Sequence, residues 1–383
     1  MSNNKYPRPR DNDDFDVAIF CALPLEAVAM TAVFDEIWQE VEYGKCDSDT
    51  NSYSFGRIHQ HPVVLVHMPR IGKAAAASAG TNLRSIRMGL LVGICGGVPL
   101  YGSGNRETML GDVIISTHVV QSDFGRLNTD RFTRKNTIQD NLGRPNQEIG
   151  GFLSKLQEAQ TNIKGSMRLE LDESGNYPGT TEDKLFEASY RHKHADSKAC
   201  VVCSRCINPG DAVCNEALQM SCTKLGCDFS QVVSRARIQA IDAEGDSAQT
   251  YCPEIHFGGL GSGDQVIKYG LHRDHIAKEE DVIGFEMEGA GLWDTIPTIV
   301  VKGVCDYADS HKNKKWQSYA ATTAAACTKG ILKEWVGRRV DDRLGDKEPD
   351  PSAPSPVHQV FSGSFYAGKN MINGGNFNGG NTF

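Results

Sequence analysis

The sequence predicts an α/β fold: a central mixed, twisted sheet flanked by helices. Two observations carry this. Short apolar runs rich in β-branched residues recur at 16–21 (DVAIFC), 90–95 (LLVGIC) and 111–116 (GDVIIS). They are nearly continuous in apolar character, as strands covered on both faces are. Helix-forming stretches and Gly turns separate them, which is the alternation of an α/β sheet.

Residues 1–14 are polar and are expected to be disordered. The run 16–21 leads straight into ALPLEAVAMTAVF, a strand feeding a helix. A second strand is expected at 63–67, followed by the turn and helix PRIGKAAAASAGTNLRSI. The third, 90–95, ends in Gly96-Gly97, and the fourth is 111–116. The charged, weakly periodic stretch of about 125–250 reads as an insertion. Sheet character returns at 255–267 (IHFGGLGSGDQVI), then in a strand over 298–304 preceded by a short helical segment at 289–294. An Ala-rich helix over 316–335 closes the domain. Beyond residue 338 the composition shifts to an acidic, Pro-rich linker over 339–356. The final stretch, 357–383, is rich in Gly and Asn with interspersed aromatics and a single charge, Lys369.

Composition narrows the function classes. A chain of 383 residues with 39% hydrophobic residues can bury a large core. No apolar run reaches the roughly 18 residues of a membrane helix, and residues 1–16 contain no secretory h-region. A cytoplasmic protein without a membrane partner is expected. The net charge of -8 argues against a nucleic-acid partner. Twelve cysteines in a long chain without a signal read as reduced thiols or a metal site. Cys200, Cys203, Cys206, Cys214, Cys222 and Cys227 crowd together near His192 and His194. They lack the paired knuckles of a structural zinc site, so the expectation is a reduced Cys-rich insertion with no metal; a zinc module is the competing reading.

The stretch 285–311 (FEMEGAGLWDTIPTIVVKGVCDYADSH) concentrates the chemistry. Glu286 and Glu288 flank Met287, and Asp306 and Asp309 follow the last strand. Open α/β sheets bind ligands at the C-terminal ends of their strands. Glu288 can accept both hydroxyls of a vicinal diol, and Asp306 can protonate a leaving base. The turn from Arg70 to Lys73 can point backbone N–H groups at an anion, or serve simply as a strand–helix turn. Gly96 and Gly97 allow a ligand close to the backbone, or merely form a loop. Glu26 can act as a base on water, or be a first-turn acid favoured by the helix dipole. The tail can be an inert end or can stack in register as a cross-β assembly through its Asn and aromatic residues; assembly is the expectation.

From 16 to about 335 the chain resembles the nucleoside phosphorylase/nucleosidase superfamily, the PNP/UDP-phosphorylase fold. The residues that carry the resemblance are ALPLE, RIGKAAAA, GICGG, GDVIIS, SGDQVI, FEMEGAG and CDYADSH, in family order. IHFGGLGSGDQVIK and KGVCDYADSHKNKKWQSYAA are similar to the effector-type versions in fungal NLR-like immune proteins. The tail resembles the amyloid signalling motifs shared by such receptors and effectors. The resemblance implies that Glu288 binds ribose hydroxyls, that Met287 packs on the sugar and that Asp306 protonates N7 of a purine. It implies Glu26 as the activator of water. Asp264, Val266 and Ile267 are implied in the base pocket, and Glu286 as a support; the family often places an aromatic where Val266 stands, so the stacking ring is expected from elsewhere, with Phe124 as the candidate.

The implied activity is hydrolysis of a purine nucleoside, adenosine favoured, or of a nucleotide, by a homo-oligomer needing no cofactor. The NLR-like partner would act through the tail. A phosphorylase is the runner-up, with phosphate held by Arg70 and the Gly72 turn; for a nucleotide substrate, Arg57, Arg70, Lys73 and Arg126 are candidates to hold its phosphates. An ATP nucleosidase and a non-catalytic adaptor that signals through the tail also fit the sequence.

Overall fold

The computed structural model describes residues 6–337, apart from 7, 40–42, 44–48, 82, 84, 105, 130–131, 173–176, 197, 209–210 and 246–250. The chain divides into the units Met1–Arg338 and Arg339–Phe383. The expected linker and assembly tail lie outside the described residues. Asn12–Asp14, expected to belong to a disordered end, form a 3-10 turn capped by the Asp11 side chain.

The first half of the domain runs β1 (Val17–Cys21), α1 (Pro24–Ala32), β2 (Glu36–Trp38), β3 (Ser52–Ile58), β4 (His61–His67), α2 (Lys73–Gly80) and β5 (Met88–Gly97). Short strands β6 (Leu100–Tyr101) and β7 (Arg106–Glu107) precede β8 (Val113–Gln121), β9 (Gly125–Leu127) and β10 (Phe132–Arg134). Helices α3 (Gln147–Glu158), α4 (Gln160–Asp172), α5 (Val201–Ser204), α6 (Cys222–Leu225) and α7 (Ala236–Glu244) follow. The domain closes with β11 (Ile255–Ser262), α8 (Gly270–Glu280), β12 (Val282–Glu286), α9 (Gly289–Trp293), β13 (Thr298–Asp306) and α10 (Gln317–Glu334).

Nine strands form the main sheet in the order β12-β11-β8-β13-β5-β1-β4-β3-β2. It is mixed, as expected. β1 runs parallel to β4 and β5, and β13 parallel to β5, whereas β8 is antiparallel to β13 and β3 antiparallel to β4. β12 also pairs antiparallel with β5 at Gly284–Gly97 and Phe285–Gly96. That pairing curls one half of the sheet back on itself.

The pleat sorts side chains to two faces. In β1, Val17, Ile19 and Cys21 enter one core, and Ala18 and Phe20 enter the other. The first core is covered by α1, α3, α4 and α10; the second packs α2 and α9 with an aromatic group around Trp316. The stretch 125–250 is therefore not one insertion. Ile149, Phe152, Leu153 and Leu156 of α3, with Ile163 and Met167 of α4, are buried in the first core. Burying each such side chain is worth about 1.5–3 kcal/mol. The part that stands apart has its own small core around Phe186, Cys203, Ala217, Leu225 and Cys227.

Candidate active site

β1, β5 and β13 are neighbours and run parallel, so their C-terminal ends open on the same edge. A cleft of about 240 Å³ lies there. Cys21 ends β1, and the chain turns through Ala22 and Leu23 into α1, with Pro24 at its first position and Glu26 in its first turn. Pro is suited to that position because it has no N–H to leave unpaired. Ile94, Cys95 and Gly96 of β5 form the floor. Asp306 ends β13, and Glu286–Met287–Glu288 closes the wall after β12.

Glu26 is buried. Its Oε2 accepts from the N–H groups of Ala22 (3.0 Å) and Leu23 (2.9 Å), and its Oε1 from Ile94 (2.9 Å). Burial pushes its carboxyl above the usual range, against the pull of Lys302 and these N–H donors. The carboxylate lies over Gly93: a Cβ there would sit 2.2 Å from Oε1.

Glu288 is buried between two fixed donors. Gly72 N–H reaches Oε1 at 3.3 Å and Lys302 Nζ reaches Oε2 at 3.2 Å. Gly72 takes φ 110° as it starts α2, a conformation that favours glycine. Glu286 accepts the N–H groups of Glu288 (3.0 Å) and Gly289 (2.9 Å). It thereby holds the turn that presents Glu288, and burial raises its carboxyl despite Lys302 3.7 Å away. Lys302 is wholly buried in β13. Burial alone would favour losing its proton, but the charges of Glu288, Glu286 and Glu26 outweigh that and hold it as an ammonium.

Asp306 Oδ1 accepts from Ala308 N–H (2.8 Å) and from Lys312 Nζ (3.1 Å), and its Oδ2 faces the Cys305 thiol at 3.4 Å. The loop after it is anchored from behind. Arg273, buried in α8, donates to the Tyr307 carbonyl at 2.8 Å, and Tyr307 Oη donates to Asp183 at 2.8 Å.

The structure brings together Glu26, Gly96, Glu286, Met287, Glu288, Asp306, Val266 and Ile267 in one lining. Gly72 touches it through Glu288. The expected strand over 255–267 stops at Ser262, so Val266 and Ile267 reach the cleft from a loop, with Gln265 beside them. Four of the expected residues are elsewhere. Asp264 accepts the Lys73 N–H at 3.1 Å at the start of α2. Phe124 lies under Lys135 Nζ at 4.8 Å. Gly97 is buried in strand pairing with Gly284. Arg70 is exposed outside the lining.

Lys302, Lys312 and Gly93 are site residues that the sequence patterns do not single out. Lys302 has a signal, a lone charge inside an apolar strand, because a buried lysine requires partners. Away from the cleft, His192, Cys222, Cys227 and His311 converge with ligand atoms within 4.8 Å of one another, and so do His194, Cys200 and Cys214.

Residues 16–156 match the family model described as Phosphorylase superfamily. The matched segment carries Glu26, Gly72 and Gly96; Glu288 and Asp306 lie beyond it. A nucleotide-binding leucine-rich repeat (NLR)-like protein of Hyaloscypha variabilis is 31% identical over 337 residues, 84% of this chain. The chain spans 29% of that protein's length. Among solved structures, the native futalosine hydrolase of Helicobacter pylori superposes with a TM-score of 0.50 at 13% identity, covering 84% of this chain and 99% of that one. The 5'-methylthioadenosine/S-adenosylhomocysteine nucleosidase of Helicobacter pylori with butyl-thio-DADMe-Immucillin-A gives the same TM-score of 0.50 at 13% identity, with 84% and 99% coverage. At that identity the likeness is one of fold, a sheet flanked by helices as in nucleoside phosphorylases and nucleosidases. Among the described residues no helix is long and apolar enough to cross a membrane.

Proposed function

We propose that the chain is a purine nucleosidase that hydrolyses the N-glycosidic bond of a purine nucleoside, adenosine favoured, or of a purine nucleotide. The observation that carries this reading is the cleft's charge pattern. Glu26, Glu288 and Asp306 share one cavity, and among the described residues that line it the one cation, Lys312, is paired with Asp306. The Gly72 N–H, a candidate anion donor in the sequence, is given to Glu288. A phosphate ion would therefore meet carboxylates, and water is the nucleophile that fits.

The roles follow. Glu288, held from behind by Gly72 and Lys302, accepts the ribose hydroxyls and offsets the positive charge that develops on the sugar. Water adds its oxygen to C1′ and gives a proton to the Glu26 carboxylate. The C1′–N9 bond breaks, and its electron pair goes to the purine, which takes at N7 the proton that Asp306 carries on Oδ2 in the substrate complex; the proton received by Glu26 passes to solvent and Asp306 is reprotonated from solvent before the next turnover. Oδ1 keeps the Ala308 and Lys312 contacts that orient the acid. Val266, Ile267 and Met287 supply apolar surface for base and sugar.

Incubation with adenosine, inosine, 5'-methylthioadenosine and ATP, with and without phosphate, tests the reading by chromatography. Free base released without phosphate supports hydrolysis. Release only with phosphate makes the enzyme a phosphorylase, and no release from any purine leaves an adaptor. As a base Glu26 must be ionised, so kcat/KM should rise with pH through a carboxyl pKa above the ordinary glutamate range. That limb should vanish in Glu26→Gln; a limb unchanged in the variant would remove Glu26 from the role.

Gly93→Ala tests the same carboxylate from beneath. The new methyl overlaps Oε1 and must push Glu26 off its N–H donors. The expected cost is about 1–3 kcal/mol of stability and about 10²-fold in rate, since misplacement on the order of 1 Å is enough for that. Thermal unfolding and base release measure the two.

We further propose that this activity belongs to an immune effector working as a homo-oligomer in the cytoplasm; the match to the NLR-like relative supports only the link to a protein of that kind. In this proposal 357–383 assembles and raises activity. Deleting 357–383 should then lower both sedimentation size and specific activity; a deletion that changes neither removes the tail from the proposal.

A further inference from the structure

We propose that the Cys-rich segment holds a structural zinc ion at His192, Cys222, Cys227 and His311, and that this ion ties the segment to the loop carrying Asp306. The four residues come from three separated parts of the chain. His192 lies before α5, Cys222 and Cys227 bracket α6, and His311 is five residues past Asp306. Their ligand atoms lie within 4.8 Å of one another, and three of the four are buried. Cys222 Sγ is 3.6 Å from Nδ1 of His192 and 3.6 Å from Nδ1 of His311, and Cys227 Sγ is 3.6 Å from Nδ1 of His192. Zn–S bonds of about 2.3 Å and Zn–N bonds of about 2.0–2.1 Å at tetrahedral angles put sulfur and nitrogen roughly 3.6 Å apart. The spacing is that of ligands around an ion.

The two imidazoles are prepared for the same role. His192 Nε2 lies 2.8 Å from the Met220 carbonyl, and His311 Nε2 lies 3.2 Å from the Tyr190 carbonyl. A carbonyl only accepts, so each Nε2 carries the proton and each Nδ1 presents its lone pair to the thiols. This is the outer hydrogen bond that zinc-binding histidines make. Tyr190 and Phe186 stack on the His311 ring, with centroids 5.3 and 3.9 Å away. Zinc suits the set because two thiolates and two imidazoles form a closed four-ligand shell without an open position. Two thiol protons are released on binding.

The ion would act on the cleft through position alone. His311 adjoins Lys312, which pairs with Asp306, and its N–H is fixed to Asp309 at 2.8 Å. A chain anchored at His311 and at Tyr307 has little freedom between them. No local ligand spacing announces the site in the sequence, because His311 is 84 residues beyond Cys227.

The test uses the full-length protein, metal analysis and thiol alkylation mapped by mass spectrometry. Purified or zinc-reconstituted protein should hold zinc at this site, with Cys222 and Cys227 protected from alkylation. A strong chelator should expose both thiols at least tenfold faster, roughly the loss of a closed shell, and added zinc chloride should protect them again. The Cys222→Ser/Cys227→Ser variant should lose one equivalent of zinc relative to wild type. Fragment ions assign alkylation to single thiols within the shared segment 206–224, so an ion at His194, Cys200 and Cys214 is told apart from this one. Protein that takes up no zinc, or alkylation of Cys222 and Cys227 indifferent to chelator and zinc, overturns the proposal. Neither readout depends on nucleoside hydrolysis, so the site can fail while the nucleosidase reading stands, and the reverse.

Discussion

Asp306→Asn is expected to slow release of an ordinary purine by about 10²–10⁴-fold, the span of general acid catalysis. The fold should hardly notice. Asn retains an oxygen for the Ala308 N–H, and the lost ion pair with Lys312, partly exposed, is worth about 0–1 kcal/mol. The turn that aims the residue does not depend on its charge, since Ala308 sits at φ 51° and Tyr307 is held by Arg273. A second substrate separates acid catalysis from a general loss of order. A purine nucleoside methylated at N7 already carries the positive charge that Asp306 would supply. Its release should fall much less in Asp306→Asn than that of adenosine or inosine. Equal losses on both substrates, measured by chromatography beside unchanged thermal unfolding, would remove Asp306 as the proton donor.

The residues behind that prediction are legible in the sequence to different degrees, for physical reasons. Glu288 stands two residues past the end of β12 and Asp306 at the end of β13, and an acid at or just past the end of an apolar run is visible in one dimension. β12 itself is not legible. Its five residues, VIGFE, are all buried, too short to show a period and joined to β11 by a helix whose charges dominate the stretch. α3 carries its signal openly at Ile149, Phe152, Leu153 and Leu156, the spacing of one helix face. It is hidden by the charge around it and by the cysteines that follow. Phe124 and Asp264 show the opposite failure. Their residue types suit a base pocket, but which way a loop side chain turns is set by partners such as Lys135 and Lys73, which no local pattern announces. His311 belongs to the same class, because the topology alone brings it to Cys222.

Lys302 is where fold and chemistry meet, and Lys302→Met should show both. The side chain is wholly buried, 3.2 Å from Glu288 and 3.7 Å from Glu286. Met keeps most of its volume and removes the charge. Breaking a buried ion pair from one side costs about 3–5 kcal/mol, because the remaining charge is left unpaired. For a domain of this size that lowers Tm by roughly 10 °C. The loss should depend on pH with a definite sign. Glu26 and Glu286 already have raised carboxyl pKa values in the fold, and losing the ammonium raises them further. A carboxyl whose folded pKa lies above its unfolded one contributes stability below the unfolded value and loses it as pH rises through the folded value. The variant should therefore be least impaired under acid conditions and fall increasingly behind wild type toward neutrality. Its kcat/KM limb should move to higher pH in step, since Glu26 must still ionise. Adding Glu288→Gln to Lys302→Met removes one of the stranded charges and should recover part of the lost Tm while leaving hydrolysis near its floor. Recovery of both together would mean that Glu288 serves the fold and not the ribose. A Lys302→Met variant as stable as wild type at neutral pH would mean that the three acids are protonated without it, and that the cleft does not carry the charge the mechanism requires.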